Sequence, residues 1–217
     1  MIGYVFLAGE IADYEFIKKY NLTDGIVICA DSGYKHALNL GITPNYIVGD
    51  MDSIDCEVAE NKNIKILSCD PVDKILTDGQ MAVRLANGCD CDDIIIFGAL
   101  NKGNSSRFDH VLGNVYLLKD AKILGVSAKI VERDCEIILI DKYTKFERRN
   151  FKYLSFLPLS ETVKCLTLTG VKYPLNKVKI TQKCYYTMSN EFAEDVATIN
   201  LKKGELLAIM TIGGERV

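Results

Sequence analysis

The 217-residue sequence predicts an α/β chain with two parts. Residues 1–140 are expected to form a mostly parallel sheet sandwiched by helices, Rossmann-like in outline. Residues 141–217 are expected to form a small all-β sandwich or barrel. Two observations carry this. The first two thirds alternate short β-branched runs with amphipathic stretches, the rhythm of strand–helix–strand units. From Asp134 onward that rhythm is replaced by short β-rich runs with Pro and Gly punctuation.

Taken in order, Gly3–Leu7 is a strand candidate, followed by Ala8-Gly9-Glu10 and an expected helix to about Tyr20. Gly25–Ala30 is the second strand. It leads into Asp31-Ser32-Gly33 and a helix carrying His36, Ala37 and Leu40 that stops at Gly41. Pro44 precedes the third strand, Tyr46–Val48, and Ile64–Leu67 is the fourth. A helix is expected from Thr77 to Asn87, with Met81, Ala82 and Leu85 inward. Ile94–Phe97 reads as a buried strand, followed by a polar loop and a helix from Asp109 to Leu124 with Val111, Leu112, Val115 and Leu118 inward. Ala128–Val131 is the sixth strand. Further strands are expected at 137–140, 153–157, 163–168, 178–180, 184–188, 196–201 and 206–210. The basic run Lys142–Lys152 reads as a solvated linker.

Hydrophobic residues at 48% and charged residues at 25% describe an ordinary globular chain and exclude wholesale disorder. A net charge of -3 gives no electrostatic reason to expect nucleic acid or anionic membrane as the main partner. No apolar run approaches the roughly 20 residues that span a bilayer. The eight cysteines include one tight pair, Cys89 and Cys91, and no second pair at zinc-ribbon spacing. With no basic leader before Tyr4–Ala8, they are expected to be reduced thiols in a cytoplasmic protein.

Acidic and polar groups follow successive strands: Asp31-Ser32-Gly33; Asp50 and Asp52; Asp73 through Asp78; and Arg107, Asp109 and His110. In a parallel sheet these strand ends share one edge, where open α/β folds bind ligands. Alone, Gly49-Asp50-Met51-Asp52-Ser53 reads more readily as a turn with solvated aspartates than as a site. Carboxylates about 4 Å apart repel by ~4 kcal/mol at an effective dielectric near 20, so their convergence calls for a cation. Oxygen-only ligands suit Mg²⁺.

These blocks, with Tyr153–Leu159, Leu168–Leu175 and Ser189-Asn190-Glu191, resemble thiamine pyrophosphokinase over nearly the whole chain. The resemblance implies transfer of the β,γ-pyrophosphoryl unit of ATP to the hydroxyethyl oxygen of thiamine, leaving AMP. It implies Mg²⁺, a homodimer with its site at the subunit interface, a nucleotide- and Mg-binding first domain and a thiamine-binding second one. By matching motif, Asp50, Asp52 and Asp78 are metal and catalytic candidates, joined in catalysis by Arg107 and Asp109. Asp31, His110, Ser189 and Asn190 are substrate-binding candidates. The proton acceptor for the alcohol is Asp50 or Asp109.

The chain departs from the family pattern at Ile75, which replaces the first carboxylate of "D-x-T-D". Four extra residues precede Arg107, with Ser105-Ser106 replacing paired glycines, and Ala8-Gly9-Glu10 replaces "A-G-G". Two alternatives stay open: a related pyrophosphokinase acting on another alcohol such as a pterin, and a thiamine or thiamine-diphosphate binding protein with weakened catalysis. A dinucleotide-dependent oxidoreductase is disfavoured, since no G-x-G-x-x-G follows the first strand.

Overall fold

A computed structural model describes residues 1–50, 61–68, 75–100 and 107–213. The chain divides into two compact units, 1–133 and 134–217. The sequence places this change at 140/141, but the strand at Cys135–Ile140 pairs with Leu206–Thr211, both in the second unit.

In the first unit, β1 (Ile2–Phe6), β2 (Ile26–Ala30), β3 (Tyr46–Gly49), β4 (Lys65–Ser68), β5 (Asp93–Phe97) and β6 (Ser127–Val131) lie in the order β6-β5-β1-β2-β3-β4. The pairings among them are parallel. β1 stands at the point where the strand order reverses: β2 leads away on one side and β5 on the other. Alternation along β1 divides its side chains between two faces. Tyr4 and Phe6 join a cluster with Val27, Cys29, Ile47, Ile95 and Phe97. Gly3, on the other face, lies where an added Cβ would be 3.1 Å from Ala86.

Three α-helices are present among the described residues: α1 (Tyr34–Asn39), α2 (Asp78–Gly88) and α3 (Phe108–Ile123). α2 starts at a capping box in which Thr77 Oγ1 accepts from the Gln80 amide at 3.2 Å and Gln80 Oε1 accepts from the Thr77 amide at 3.1 Å. Its buried face is Gly79, Ala82, Val83 and Ala86, smaller residues than the expected Met81 and Leu85, which are half-buried. In α3 the expected Leu112 is 48% exposed; Leu117, Leu118 and Ala121 are the buried residues.

The expected helix between Glu10 and Tyr20 is absent. Asp13 Oδ1 accepts the Glu15 amide at 2.9 Å, a side-chain turn that competes with helix. Phe16 and Tyr20 instead pack edge-on to Phe97, at 6.1 and 5.5 Å between ring centroids.

The second unit holds two antiparallel sheets. One, in the order β12-β9-β14-β7, contains β7 (Cys135–Ile140), β9 (Tyr153–Pro158), β12 (Asn190–Glu191) and β14 (Leu206–Thr211). The other, in the order β11-β10-β13-β8, contains β8 (Thr144–Glu147), β10 (Thr162–Thr169), β11 (Leu175–Thr181) and β13 (Val196–Asn200). Leu154, Phe156, Leu206 and Met210 of the first share one core with Phe146, Leu166, Ile180 and Ile199 of the second, which makes a sandwich. β8 lies inside the stretch read as a linker, and Phe146, only 3% exposed, is the reason it is a strand. The run at Cys184–Met188 expected as a strand is a turn-rich segment.

The whole is therefore mixed α/β: parallel in the first unit and antiparallel in the second. No helix among the described residues is long and apolar enough to cross a membrane. None of the six described cysteines is in a disulfide, and burial pushes the Cys29 thiol pKa up.

Candidate active site

A pocket of about 520 Å³ opens at the carboxyl ends of the parallel strands. Its lining comes from the ends of β1 (Leu7, Ala8, Gly9) and β2 (Ala30, Asp31), the start of α2 (Thr77, Asp78, Gly79), and Arg107 with the first turns of α3 (Asp109, His110, Gly113, Asn114). Asp31, Asp78, Arg107, Asp109 and His110, scattered over 80 residues of sequence, thus line a single pocket.

Each is placed by local chemistry. Asp31 has φ +49°, a left-handed conformation that aspartate tolerates better than most residues. It turns the chain out of β2 into the 3-10 turn Asp31–Gly33. Gly33 is forced by space, since a Cβ there would lie 2.3 Å from the Phe6 carbonyl oxygen. Asp78 opens α2, where the helix dipole favours a carboxylate, and its Oδ1 is shielded from solvent. Arg107 is the residue before α3, and one Nη donates to Asp109 Oδ2 at 2.6 Å. That guanidinium holds the Asp109 carboxyl below the usual range. His110 lies exposed in the same turn.

Asp50 sits one residue past β3 and half-buried. β2 and β3 pair with Ala30 opposite Val48, and a Cβ on Gly49 would come within 3.4 Å of Asp31 N and Cα. The Asp50 backbone therefore leaves the sheet beside Asp31. Asp52, Asp73 and the Ser105-Ser106 pair lie outside the described residues. Ile75 is described and is 94% exposed.

Several pocket residues carry no signal in a motif reading. Leu7, Ala8 and Gly9, at the end of β1, line the pocket, and this tail keeps pairing with the tail of β5: Leu7 N–H donates to Phe97 O at 2.9 Å and Gly9 N–H to Gly98 O at 3.0 Å. Gly98 has φ +65° and is so close to β1 that a Cβ would lie 2.7 Å from Leu7 O. Glu132, at the end of β6 and buried, accepts the Ala99 and Leu100 amides at 3.1 Å each through Oε1. Asn114 donates to Ala99 O at 2.9 Å. The sequence signs of this region are Ala8-Gly9-Glu10, matched above to "A-G-G", and the glycine after the buried β5 strand; Glu132 and Asn114 give none.

In the second unit, Ser189 has φ +54° and its amide donates to Ser155 Oγ at 2.8 Å. Asn190 is 2% exposed. Its Nδ2 donates to Tyr173 O at 2.9 Å, and its Oδ1 accepts the Tyr173 and Glu191 amides at 3.0 Å each. The side chain is spent on the backbone of the Lys172–Tyr173 turn, whose side chains are exposed. Lys172 adds an ion pair to Glu191 at 3.1 Å.

Comparison with known proteins agrees with the two-unit layout. Residues 17–130 match the family model described as "Thiamin pyrophosphokinase, catalytic domain", and residues 137–206 match "Thiamin pyrophosphokinase, vitamin B1 binding domain". The thiamine pyrophosphokinase of Bacillus subtilis (strain 168) is 33% identical over 190 residues, 84% of this chain and 85% of that protein. A crystal structure of thiamine pyrophosphokinase from Bacillus subtilis superposes with a TM-score of 0.84 at 28% identity, covering 97% of this chain and 99% of the other. The thiamin pyrophosphokinase structure from Geobacillus thermodenitrificans gives a TM-score of 0.82 at 27% identity over the full length of both chains. The chain belongs to the thiamin pyrophosphokinase family.

Proposed function

We propose that this chain catalyses the reaction its relatives are named for, moving a pyrophosphoryl group from ATP to the hydroxyl of thiamine to give thiamine diphosphate and AMP. The observation that carries the reading is the pocket at the parallel strand ends, where three carboxylates, an arginine and a histidine line one cavity. Its lining from Ala30 to Asn114 falls within the segment matching the catalytic model, while Leu7, Ala8 and Gly9 precede that segment. We read the first unit as the Rossmann-like nucleotide side and the second as the thiamine side, since residues 137–206 match a vitamin B1 binding domain.

The thiamine oxygen attacks the β-phosphorus of ATP, the bond from that phosphorus to the α,β-bridging oxygen breaks, and AMP leaves with the bridging oxygen. The protein's work in such a transfer is positioning and charge neutralisation. Arg107 offers a planar fork to the phosphates, one arm of which is braced by Asp109. Because that brace lowers the basicity of Asp109, it suits Asp109 to steadying Arg107 better than to taking a proton. Asp50 is then our candidate for accepting the alcohol proton, through a carboxylate oxygen that does not hold Mg²⁺. Asp31, Asp78, Asp50 and Asp52 supply hard oxygen donors for Mg²⁺, which neutralises phosphate charge when bound. Among the described residues no cluster of three His, Cys, Asp or Glu forms a complete metal site. Mg²⁺ is commonly held by one or two carboxylates together with substrate phosphates. Ser189 borders the thiamine side, and Asn190 acts there by shaping the Tyr173 turn. A homodimer with the site at the subunit interface and a cytoplasmic location complete the proposal.

Phosphorus NMR of protein, ATP, Mg²⁺ and thiamine tests the reading. Thiamine diphosphate with AMP supports it; thiamine monophosphate with ADP overturns it. Offering a pterin alcohol in place of thiamine tests the nearest alternative.

A further inference from the structure

His36 lies half-buried in α1, outside the pocket lining and unused by the proposed chemistry. Its Nε2 is 2.9 Å from the carbonyl oxygen of Gly9, which does line the pocket. Its Nδ1 is 2.8 Å from the Tyr14 hydroxyl, and Asn39 Nδ2 donates to that hydroxyl at 3.0 Å. A carbonyl oxygen can only accept, so the proton of the imidazole is on Nε2. The neutral ring then accepts at Nδ1, and Tyr14 is the donor to it. Every donor in this chain meets an acceptor in one direction: Asn39 to Tyr14, Tyr14 to His36, His36 to Gly9.

We propose that His36 is a positioning residue of the pocket, holding the Gly9 carbonyl through Nε2–H while Tyr14 and Asn39 hold the ring for that bond. The need arises from the residue it holds. Glycine is the most permissive of residues, and a glycine in a pocket lining brings mobility unless both its peptide groups are fixed. The Gly9 amide is fixed to Gly98 O at 3.0 Å, and His36 fixes the carbonyl. Burial keeps the imidazole pKa below its ordinary value, against the opposing effect of the Gly9 carbonyl, so the neutral, singly donating ring persists at neutral pH.

The consequence for nucleotide binding rests on the function proposed above; the consequence for Gly9 does not. The test uses the full chain and two variants that separate the ring's contacts. The Gln side chain in His36→Gln can place a donor where Nε2 stands, towards Gly9. The Asn side chain in His36→Asn reaches only the Nδ1 position, towards Tyr14. In His36→Asn, exchange of the Gly9 amide measured by NMR is expected to accelerate about three- to tenfold, the equivalent of one neutral hydrogen bond. KM for ATP should rise by a similar factor, with kcat and KM for thiamine unchanged. His36→Gln should restore both. If His36→Asn does not fold, Tyr14→Phe takes its place, with faster Gly9 exchange expected. Wild-type Gly9 exchange in the variant that breaks the contact, or equal behaviour of His36→Asn and His36→Gln, overturns the proposal. Should the wild type fail to use ATP, the proposed function falls, while the Gly9 exchange comparison still decides the role of His36.

Discussion

Arg107 donates an Nη hydrogen to Asp109 Oδ2 at 2.6 Å across the start of α3, so the pocket's arginine is aimed before any substrate arrives. Both side chains are largely exposed, so the pair adds little to stability. Its value lies in orientation. Replacing Arg107 with Ala should lower kcat/KM by about 10²–10³, in the range seen when one donor to developing charge is lost. The melting temperature should hardly move. The same variant should let the Asp109 carboxyl titrate at a higher pH, towards its ordinary range, because the hydrogen bond to Arg107 is the largest cause of its depression. Carboxyl-carbon NMR across an acid titration reads this directly.

Asn190 is a second point where side-chain chemistry sets backbone shape. Removing it in Asn190→Ala leaves the amide and carbonyl of Tyr173 without their partners, at a cost of about 1–3 kcal/mol in urea unfolding. Asn190→Asp keeps an acceptor for the Tyr173 amide but turns an acceptor towards the Tyr173 carbonyl, so it should destabilise at least as much. In both variants KM for thiamine should rise more than KM for ATP.

Ile75, the position that the sequence resemblance pairs with a carboxylate, is almost fully exposed. Ile75→Asp should therefore leave stability within about 0.5 kcal/mol of the parent. If the missing carboxylate limits cation binding, the variant should reach half-maximal turnover at several-fold lower Mg²⁺. An unchanged Mg²⁺ dependence would remove this position from the cation site.

The buried imidazole of His36 gives a stability dependence with a defined sign. Its folded pKa lies below the ordinary value of 6.5, so between the two values the unfolded chain binds more protons. Stability is fully present above about pH 6.5 and declines as pH falls below it, by no more than the one-proton limit of about 1.4 kcal/mol per pH unit. Thermal melts from pH 8 to pH 5 should show this component, and His36→Gln should lack it.

The sequence was legible where chemistry follows strand ends. Asp31, Asp78, Arg107, Asp109 and His110 could be brought together because parallel strands deliver their carboxyl ends to one edge, and the pocket contains all five. Asp50 was legible as a strand-end carboxylate; Asp52 falls outside the described residues. Contacts made through the backbone were not legible. Glu132 reads as a surface acid until the Ala99 and Leu100 amides are seen on its carboxylate. His36 looks like any helix-face histidine until Gly9 is placed against it. The segment from Glu10 to Tyr20 has helical spacing, but Asp13 caps a turn there and Phe16 and Tyr20 pack on Phe97. Lys and Arg around Phe146 hid a strand whose single core residue decides its structure.

Attack of the thiamine oxygen on the β-phosphorus of ATP is the central claim, and an oxygen label tests it most directly. Thiamine carrying ¹⁸O in its hydroxyethyl group, turned over with ATP and Mg²⁺, is followed by the isotope shift in phosphorus NMR. The predicted result is ¹⁸O on the ester phosphorus of thiamine diphosphate, with unlabelled AMP released in equal amount. Label on a lone thiamine monophosphate accompanied by ADP would contradict it.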